Sequence, residues 1–289
     1  MTAETTLRAG CKINVFLRVT GVRDDGYHTL ESLFLPLDEP FDTLTIKPAA
    51  KGSGFCFSCS DAALTNNNIL QKTYTAFAKA TGFVPDIDVF LEKAIPYGAG
   101  LGGGSSDAAA LLTYCNSTAK REGRKFLAPH ELTALAAQLG ADVPFFLFRR
   151  AAIVRGIGEI IEPAVNPVAG MYLVLVCPQV HVPTAWAFNA WDRENAEKHV
   201  HSTLTNRGEN DTRPLVRGIC VHNDLEAVVF KRHPELGEVV TALRDHGAEA
   251  AAMSGSGASL FGLFANERKA ADAAGFFRAK GERVFQHIL

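Results

Sequence analysis

No Gly-Lys-Ser or Gly-Lys-Thr occurs anywhere in the 289 residues, which excludes a Walker-type nucleotide loop. Basic residues are not in excess: 29 Lys and Arg stand against 31 Asp and Glu, a formal charge of −2. A nucleic-acid backbone would find no cationic surface to hold it, so nucleic acid is not an expected partner. No apolar run approaches the ~20 residues that span a bilayer. The first residues, Met1-Thr2-Ala3-Glu4-Thr5-Thr6, lack the basic and apolar regions of a signal peptide, so the expectation is a cytoplasmic protein with no membrane partner. Cysteines number only six, scattered through apolar segments of a chain too large to need covalent staples, and are expected to be reduced and mostly buried. Cys56 and Cys59 form a C-x-x-C, but they sit in an alternating run from Phe55 to Ser60 with no second pair, and no metal ligands are assigned.

What is present is a hydrophobic content of 47% in a chain long enough for two domains, each with its own core. It also holds one stretch in which glycine is concentrated: Pro96-Tyr97-Gly98-Ala99-Gly100-Leu101-Gly102-Gly103-Gly104-Ser105-Ser106-Asp107. Glycines at this density let a backbone approach a bulky anion and permit the positive φ angles that turn successive N–H groups inward. Ile87, Val89 and Leu91 before the stretch alternate like a strand, and Ala108, Leu111, Leu112 and Cys115 after it recur at helical spacing. Ser105 or Ser106 is placed to cap that helix. Strand, glycine loop and helix start together make a phosphate cradle, since a helix N-terminus adds unpaired N–H groups and partial positive charge. Gly98, Gly100 and Gly103 also satisfy G-x-G-x-x-G, with Glu122 as the acidic residue some twenty positions on, so a dinucleotide site stays open at this point.

Cys11 to Val19 reads as a strand with Ile13, Val15, Leu17 and Val19 on one face and Lys12, Asn14, Phe16 and Arg18 on the other. The turn-rich Gly21 to Gly26 joins it to a second strand-like run, Tyr27 to Phe34, as a hairpin with Tyr27 and His28 at its mouth, able to stack on and hydrogen-bond a flat ligand. Asn67 to Thr81 reads as a helix ending at Gly82, and Pro129 to Leu139 as another ending at Gly140. Ala141-Asp142-Val143-Pro144 follows, where an aspartate is ordinarily a cap. Arg149, Arg150 and Arg155 could contact a diphosphate, although exposed arginines on strands are commoner. Composition shifts to Pro, Asn and Gly around Pro163 to Gly170, which sets a domain boundary and gives domains 1–165 and 166–289. Beyond it come a strand at Tyr172 to Cys177 and a helix from Thr184 through Trp191. An irregular polar excursion with His199 and His201 then runs from Asp192 to Pro214, and Asn223-Asp224-Leu225-Glu226 caps a helix. Ala250 to Met253 leads into the loop Ser254 to Ser259 and a strand to Phe264, followed by a helix from Glu267 and a last strand from Val284. That order suits a ferredoxin-like layer.

Four of these segments carry a resemblance. Lys12-Ile13-Asn14, with Gly21, Arg23 and Asp25-Gly26-Tyr27-His28, resembles the N-terminal signature of the 4-diphosphocytidyl-2-C-methyl-D-erythritol kinase family. That family lies in the superfamily named for galactokinase, homoserine kinase, mevalonate kinase and phosphomevalonate kinase. The loop from Pro96 to Ala110 is similar to the superfamily's phosphate-binding motif, and Ser254 to Ser259 to its third motif, which folds back beside that loop. Gly140-Ala141-Asp142-Val143-Pro144 resembles the stretch holding the catalytic aspartate. Tyr97 departs from the pattern, standing where a small aliphatic residue is usual.

The resemblance implies a two-domain α+β GHMP-kinase-like fold, with an N-terminal nucleotide-binding α/β domain and a C-terminal ferredoxin-like domain. It implies ATP-dependent phosphorylation of the 2-hydroxyl of 4-diphosphocytidyl-2-C-methyl-D-erythritol in the non-mevalonate isoprenoid route. Asp142 would act as base and Lys12 as charge stabiliser. The triphosphate would lie on Pro96, Gly98, Ala99, Gly100, Leu101, Gly102, Gly103, Gly104, Ser105 and Ser106. Asn14, Tyr27 and His28 would hold the acceptor, and Mg²⁺ would be bound through phosphates more than by a protein cage. Other readings are a homoserine- or mevalonate-type kinase, and a non-catalytic nucleotide sensor on the same fold.

Overall fold

The computed structural model describes residues 4–66, 68–195 and 215–289. They divide into two compact units that are not consecutive in the chain: residues 1–11, 38–96 and 102–149 form one, and residues 12–37, 97–101 and 150–289 the other.

In the first unit, β1 (Thr5–Val22) and β2 (His28–Pro48) contribute their outer parts, and β3 (Phe55–Cys59), α1 (Ile69–Thr81) and β4 (Ile87–Glu92) follow. β4 lies between β2, antiparallel with Thr43 opposite Glu92, and β3, parallel with Phe55 opposite Ile87. Its strict alternation buries Ile87, Val89 and Leu91 and leaves Asp88, Phe90 and Glu92 outside. Helices α2 (Gly103–Arg121), α3 (Pro129–Leu139) and α4 (Val143–Phe148) pack together with α1. Asn68 caps α1 by accepting from the Leu70 N–H at 2.9 Å, and Gly82 ends it in the left-handed region at φ 70°. Asn67 lies outside the described residues.

Two expectations change here. α2 begins at Gly103, with Gly102 at the cap position and no side-chain cap, so Ser105 and Ser106 lie inside the first turn. Glycines can start a helix without a capping hydroxyl because their own N–H groups face outward unobstructed. Of the six cysteines, all free, Cys11, Cys115 and Cys177 are buried, but Cys56 on β3 is exposed.

In the second unit, β5 (Ala152–Gly156) pairs antiparallel with the first part of β2 and with β6 (Ile160–Pro163). β7 (Tyr172–Cys177) is buried along nearly its whole length, as its unbroken apolar run required. α5 (Thr184–Asn195) continues past Trp191, so residues 192–195 are helical rather than irregular, while His199 and His201 lie outside the described residues. Next come the short strands β8 (Leu215–Val216), β9 (Ile219–Cys220) and β10 (His222–Asn223), then α6 (Glu226–Arg232), α7 (Pro234–Asp245), β11 (Ala250–Met253), β12 (Leu260–Phe264), α8 (Glu267–Ala279) and β13 (Arg283–Ile288). The order β11-β12-β7-β13, antiparallel throughout, is a ferredoxin-like sheet. Its apolar face closes over Val174, Val176, Leu260 and Phe264 with Leu243, Ala270, Ala273 and Phe277 from α7 and α8.

Candidate active site

β1 is an alternating strand whose polar face is not solvated at its middle: Lys12 and Asn14 are 3% and 2% exposed. Burying an ammonium and an amide demands partners, and they are found inside the second unit. Lys12 Nζ donates to Asn14 Oδ1 at 2.6 Å and to the Gly100 carbonyl at 2.8 Å, and lies 4.8 Å from the centre of the Phe34 ring. Asn14 Nδ2 donates to Ser32 Oγ at 2.9 Å. Lys12 is thereby held against the first part of the glycine loop, with its own N–H donating to the Leu101 carbonyl at 3.0 Å.

The Ser254 to Ser259 loop closes over the same glycines. Ser254 Oγ donates to the Gly100 carbonyl at 3.0 Å and accepts from the Asn14 N–H at 3.2 Å, and the Ser259 N–H donates to the Ala99 carbonyl at 3.1 Å. The approach is so close that a Cβ on Gly100 would stand 2.0 Å from the Ser254 carbonyl oxygen. Asn223 braces this loop from β10: its Nδ2 donates to the carbonyls of Met253 (2.8 Å) and Gly255 (2.6 Å), and its Oδ1 accepts from the Leu225 N–H (2.9 Å). Asn223→Ala would strand buried backbone groups, so a loss of about 2 kcal/mol is expected. It would be read as a lower urea midpoint at unchanged slope; an unchanged midpoint would remove Asn223 from this role.

At the loop's entrance Tyr97 is 71% exposed and stacks on His181, ring centres 5.6 Å apart and planes 12° apart. His181 fills the space that a side chain on Gly98 would need, since a Cβ there would come within 2.3 Å of its Nδ1. Sequence reasoning passed over His181, and nothing in its spacing marked it. Tyr27 is exposed, as its position at the hairpin mouth suggested. His28 differs: its Nε2 lies 2.7 Å from Asp192 Oδ1, and its ring stacks on Phe188 at 4.7 Å and meets the edge of Trp191 at 6.1 Å. α5 therefore packs against His28, through Phe188, Trp191 and Asp192. Arg155 bonds Glu31 at 3.0 Å and Glu162 at 2.5 Å, which engages it with the protein's own carboxylates.

The first unit holds the rest of the predicted set: Pro96, the run Gly102 to Ser106, and Asp142. Helix geometry leaves the N–H groups of Gly103, Gly104 and Ser105 without intrahelical acceptors, and Gly104 is exposed, with only Ile69 Cγ2 within 4 Å of where its Cβ would be. Ser105 Oγ lies 3.8 Å from the corresponding point on Gly140, so the helix start adjoins the segment carrying Asp142. Asp142 occupies the cap position of α4, but its carboxylate makes no capping bond to that helix, which argues against the ordinary structural role of an aspartate there.

Residues 68–150 match the family model described as the GHMP kinases N terminal domain, and residues 203–283 the one described as GHMP kinases C terminal. The chain is 46% identical, over 293 aligned residues and 100% of both chains, to the 4-diphosphocytidyl-2-C-methyl-D-erythritol kinase of Nitratidesulfovibrio vulgaris (strain DP4). The chain belongs to the 4-diphosphocytidyl-2-C-methyl-D-erythritol kinase family of GHMP kinases. The family member from Chlorobium limicola is 37% identical, with 96% of this chain and 95% of that one covered. A crystal structure of 4-(cytidine 5'-diphospho)-2C-methyl-D-erythritol kinase superposes with a TM-score of 0.77 at 34% identity, covering 98% of each chain. Homoserine kinase from Cytophaga hutchinsonii, 20% identical over 99% of this chain and 95% of its own, shares the GHMP fold at a TM-score of 0.66. The G-x-G-x-x-G spacing is thus a coincidence within a GHMP kinase loop. That loop follows β4, a strand paired antiparallel on one side, rather than opening a parallel βαβ unit.

Proposed function

We propose that this protein transfers the γ-phosphoryl group of ATP to the 2-hydroxyl of 4-diphosphocytidyl-2-C-methyl-D-erythritol, a step of the non-mevalonate isoprenoid route. The observation that carries the reading is the full-length similarity to relatives of that name, at 46% identity in the first of them. The buried Lys12 beside the glycine loop supports it, because a fixed ammonium near a polyphosphate is what transfer to an alcohol requires.

In this reading Asp142 accepts the hydroxyl proton and Lys12 offsets charge on the attacking oxygen and the transferred group. The amides of Gly103, Gly104 and Ser105, with those of Gly98 to Gly102, hold the triphosphate. Asn14 fixes Lys12 and faces the acceptor, and Tyr27 and His28 engage its cytidine by stacking and hydrogen bonding. The donors of the loop are amides and hydroxyls, and the carboxylates below it, Asp42 and Asp107, are both bonded to Lys93. That set fits Mg²⁺ as an ion carried by the phosphates, where it offsets their charge when bound.

ADP release by the purified protein, offered the cytidylylated methylerythritol, homoserine and mevalonate in parallel, checks the reading. Turnover is expected with the first alone. Turnover with homoserine or mevalonate in its place would transfer the assignment to another GHMP activity. Nucleotide binding without turnover on any of the three would mark a sensor.

A further inference from the structure

Beneath the helix side of the glycine loop lies a buried ionic cluster that the chemistry above does not use. Asp42 of β2 is fully buried. Its Oδ1 accepts from the N–H groups of Ala94 at 2.6 Å and Ile95 at 2.8 Å, the last residues before Pro96 opens the loop. Its Oδ2 bonds Lys93 Nζ. The same ammonium donates at 3.0 Å to Oδ2 of Asp107, in the second turn of α2. The start of that helix rests on the cluster: a Cβ on Gly103 would lie 2.9 Å from Ile95 Cγ2 and 3.3 Å from Asp42 Oδ2.

Two carboxylates thus share one ammonium, and Asp107 Oδ1, also buried, has no hydrogen-bond partner among the described residues. Burial pushes the Asp107 carboxyl up to about 7, with Lys93 only partly opposing it. Burial alone would lower the Lys93 ammonium, but the flanking carboxylates outweigh it and hold its pKa above the ordinary value. Three charges removed from water in this way seldom add stability over well-packed apolar groups. Their worth here lies in what they connect: the loop's entrance through Asp42, and its helix start through Asp107, with Lys93 between.

We propose that Asp42, Lys93 and Asp107 are the positioning unit of the phosphate loop, Lys93 setting the spacing between the loop's entrance and the first amides of α2. The inference rests on the nucleotide reading of that loop. It concerns the donor's side alone, so the identity of the acceptor does not enter. A misplaced cradle weakens ground state and transition state alike, which raises KM without lowering kcat.

The test measures binding of magnesium ADP by calorimetry, together with steady-state constants. Lys93→Met is expected to weaken ADP binding and raise the KM for ATP about tenfold each, with kcat and the acceptor KM within about twofold of the parent. Lys93→Arg, which keeps the charge and two-sided bonding, is expected to recover most of the loss. If Lys93→Met does not fold, Lys93→Met/Asp107→Asn, which removes one stranded carboxylate, carries the same comparison. A folded variant that binds ADP as tightly as the parent, or that loses kcat alone, overturns the proposal. Failure of the unaltered protein to bind magnesium ADP would overturn it together with the nucleotide reading. ADP binding without phosphorylation of the cytidylylated acceptor would count only against the substrate.

Discussion

Asp142→Asn is expected to lower kcat by about 10²–10⁴-fold while leaving ADP affinity and thermal stability near those of the unaltered protein. The amide keeps the size of the carboxylate and loses its ability to take a proton. Stability should hold because asparagine keeps the shape and an acceptor oxygen of aspartate; Asp142 makes no capping bond to α4, and Pro144 in the first turn already sets the helical φ there. The competing role, a structural cap, predicts turnover nearly intact in this variant, since asparagine caps as well as aspartate, and a melting temperature lower by several degrees only in Asp142→Ala. Measuring kcat, ADP affinity and unfolding on one preparation separates the two, and near-normal turnover would remove Asp142 from the mechanism.

Gly100→Ala is expected to be the most damaging glycine-to-alanine change among the described residues. Gly100 has φ 72°, and the added Cβ would meet the Ser254 carbonyl oxygen at 2.0 Å, with the Gly257 nitrogen at 3.1 Å. These are backbone atoms of a second loop and cannot swing aside as a flexible side chain would. A destabilisation of about 4 kcal/mol is expected, the sum of left-handed strain and forced separation of the loops. Turnover should fall about a hundredfold, since the Gly100 carbonyl that holds Lys12 moves with the loop. Gly123→Ala is the control: its φ is 65°, but nothing lies within 4 Å of its Cβ position, so about 1 kcal/mol is expected. Equal urea midpoints for the two variants would show that the contact with Ser254 is of no consequence.

Much of this was legible in the sequence because it is written in local pattern. Ile87, Val89 and Leu91 alternate, Tyr172 to Cys177 is unbroken, and Gly82 ends a helix, and each produced the expected element within a residue or two. The glycine loop leading into a helix was legible because its glycines permit the positive φ angles found at Gly98, Gly100 and Gly102. What escaped notice depends on partners distant in the chain. The burial of Lys12 and Asn14 is one case, since Ser32, Gly100 and Ser254 satisfy them only in the folded chain. His181 and Asp192 gave no signal, since a histidine against Gly98 and a carboxylate against His28 acquire meaning only from the fold. The helix capping serines failed for a different reason: Gly102 to Gly104 can take up the helix start themselves, which moves Ser105 and Ser106 one turn inward.

The second unit is assembled from residues that leave the ribosome far apart in time. Asn14 and Ser254, hydrogen-bonded to one another, are separated by 240 positions, and Phe16 on β1 pairs with His222. Segment 12–37 therefore emerges early, carrying an ammonium and an amide whose later partners have yet to be synthesised, while β3, β4 and α1 nearby can already close their own contacts. Closure over so long a span is slow. The strand bearing Lys12 thus waits longest for its partners, and an unpaired strand edge in that interval is what makes a folding chain prone to association.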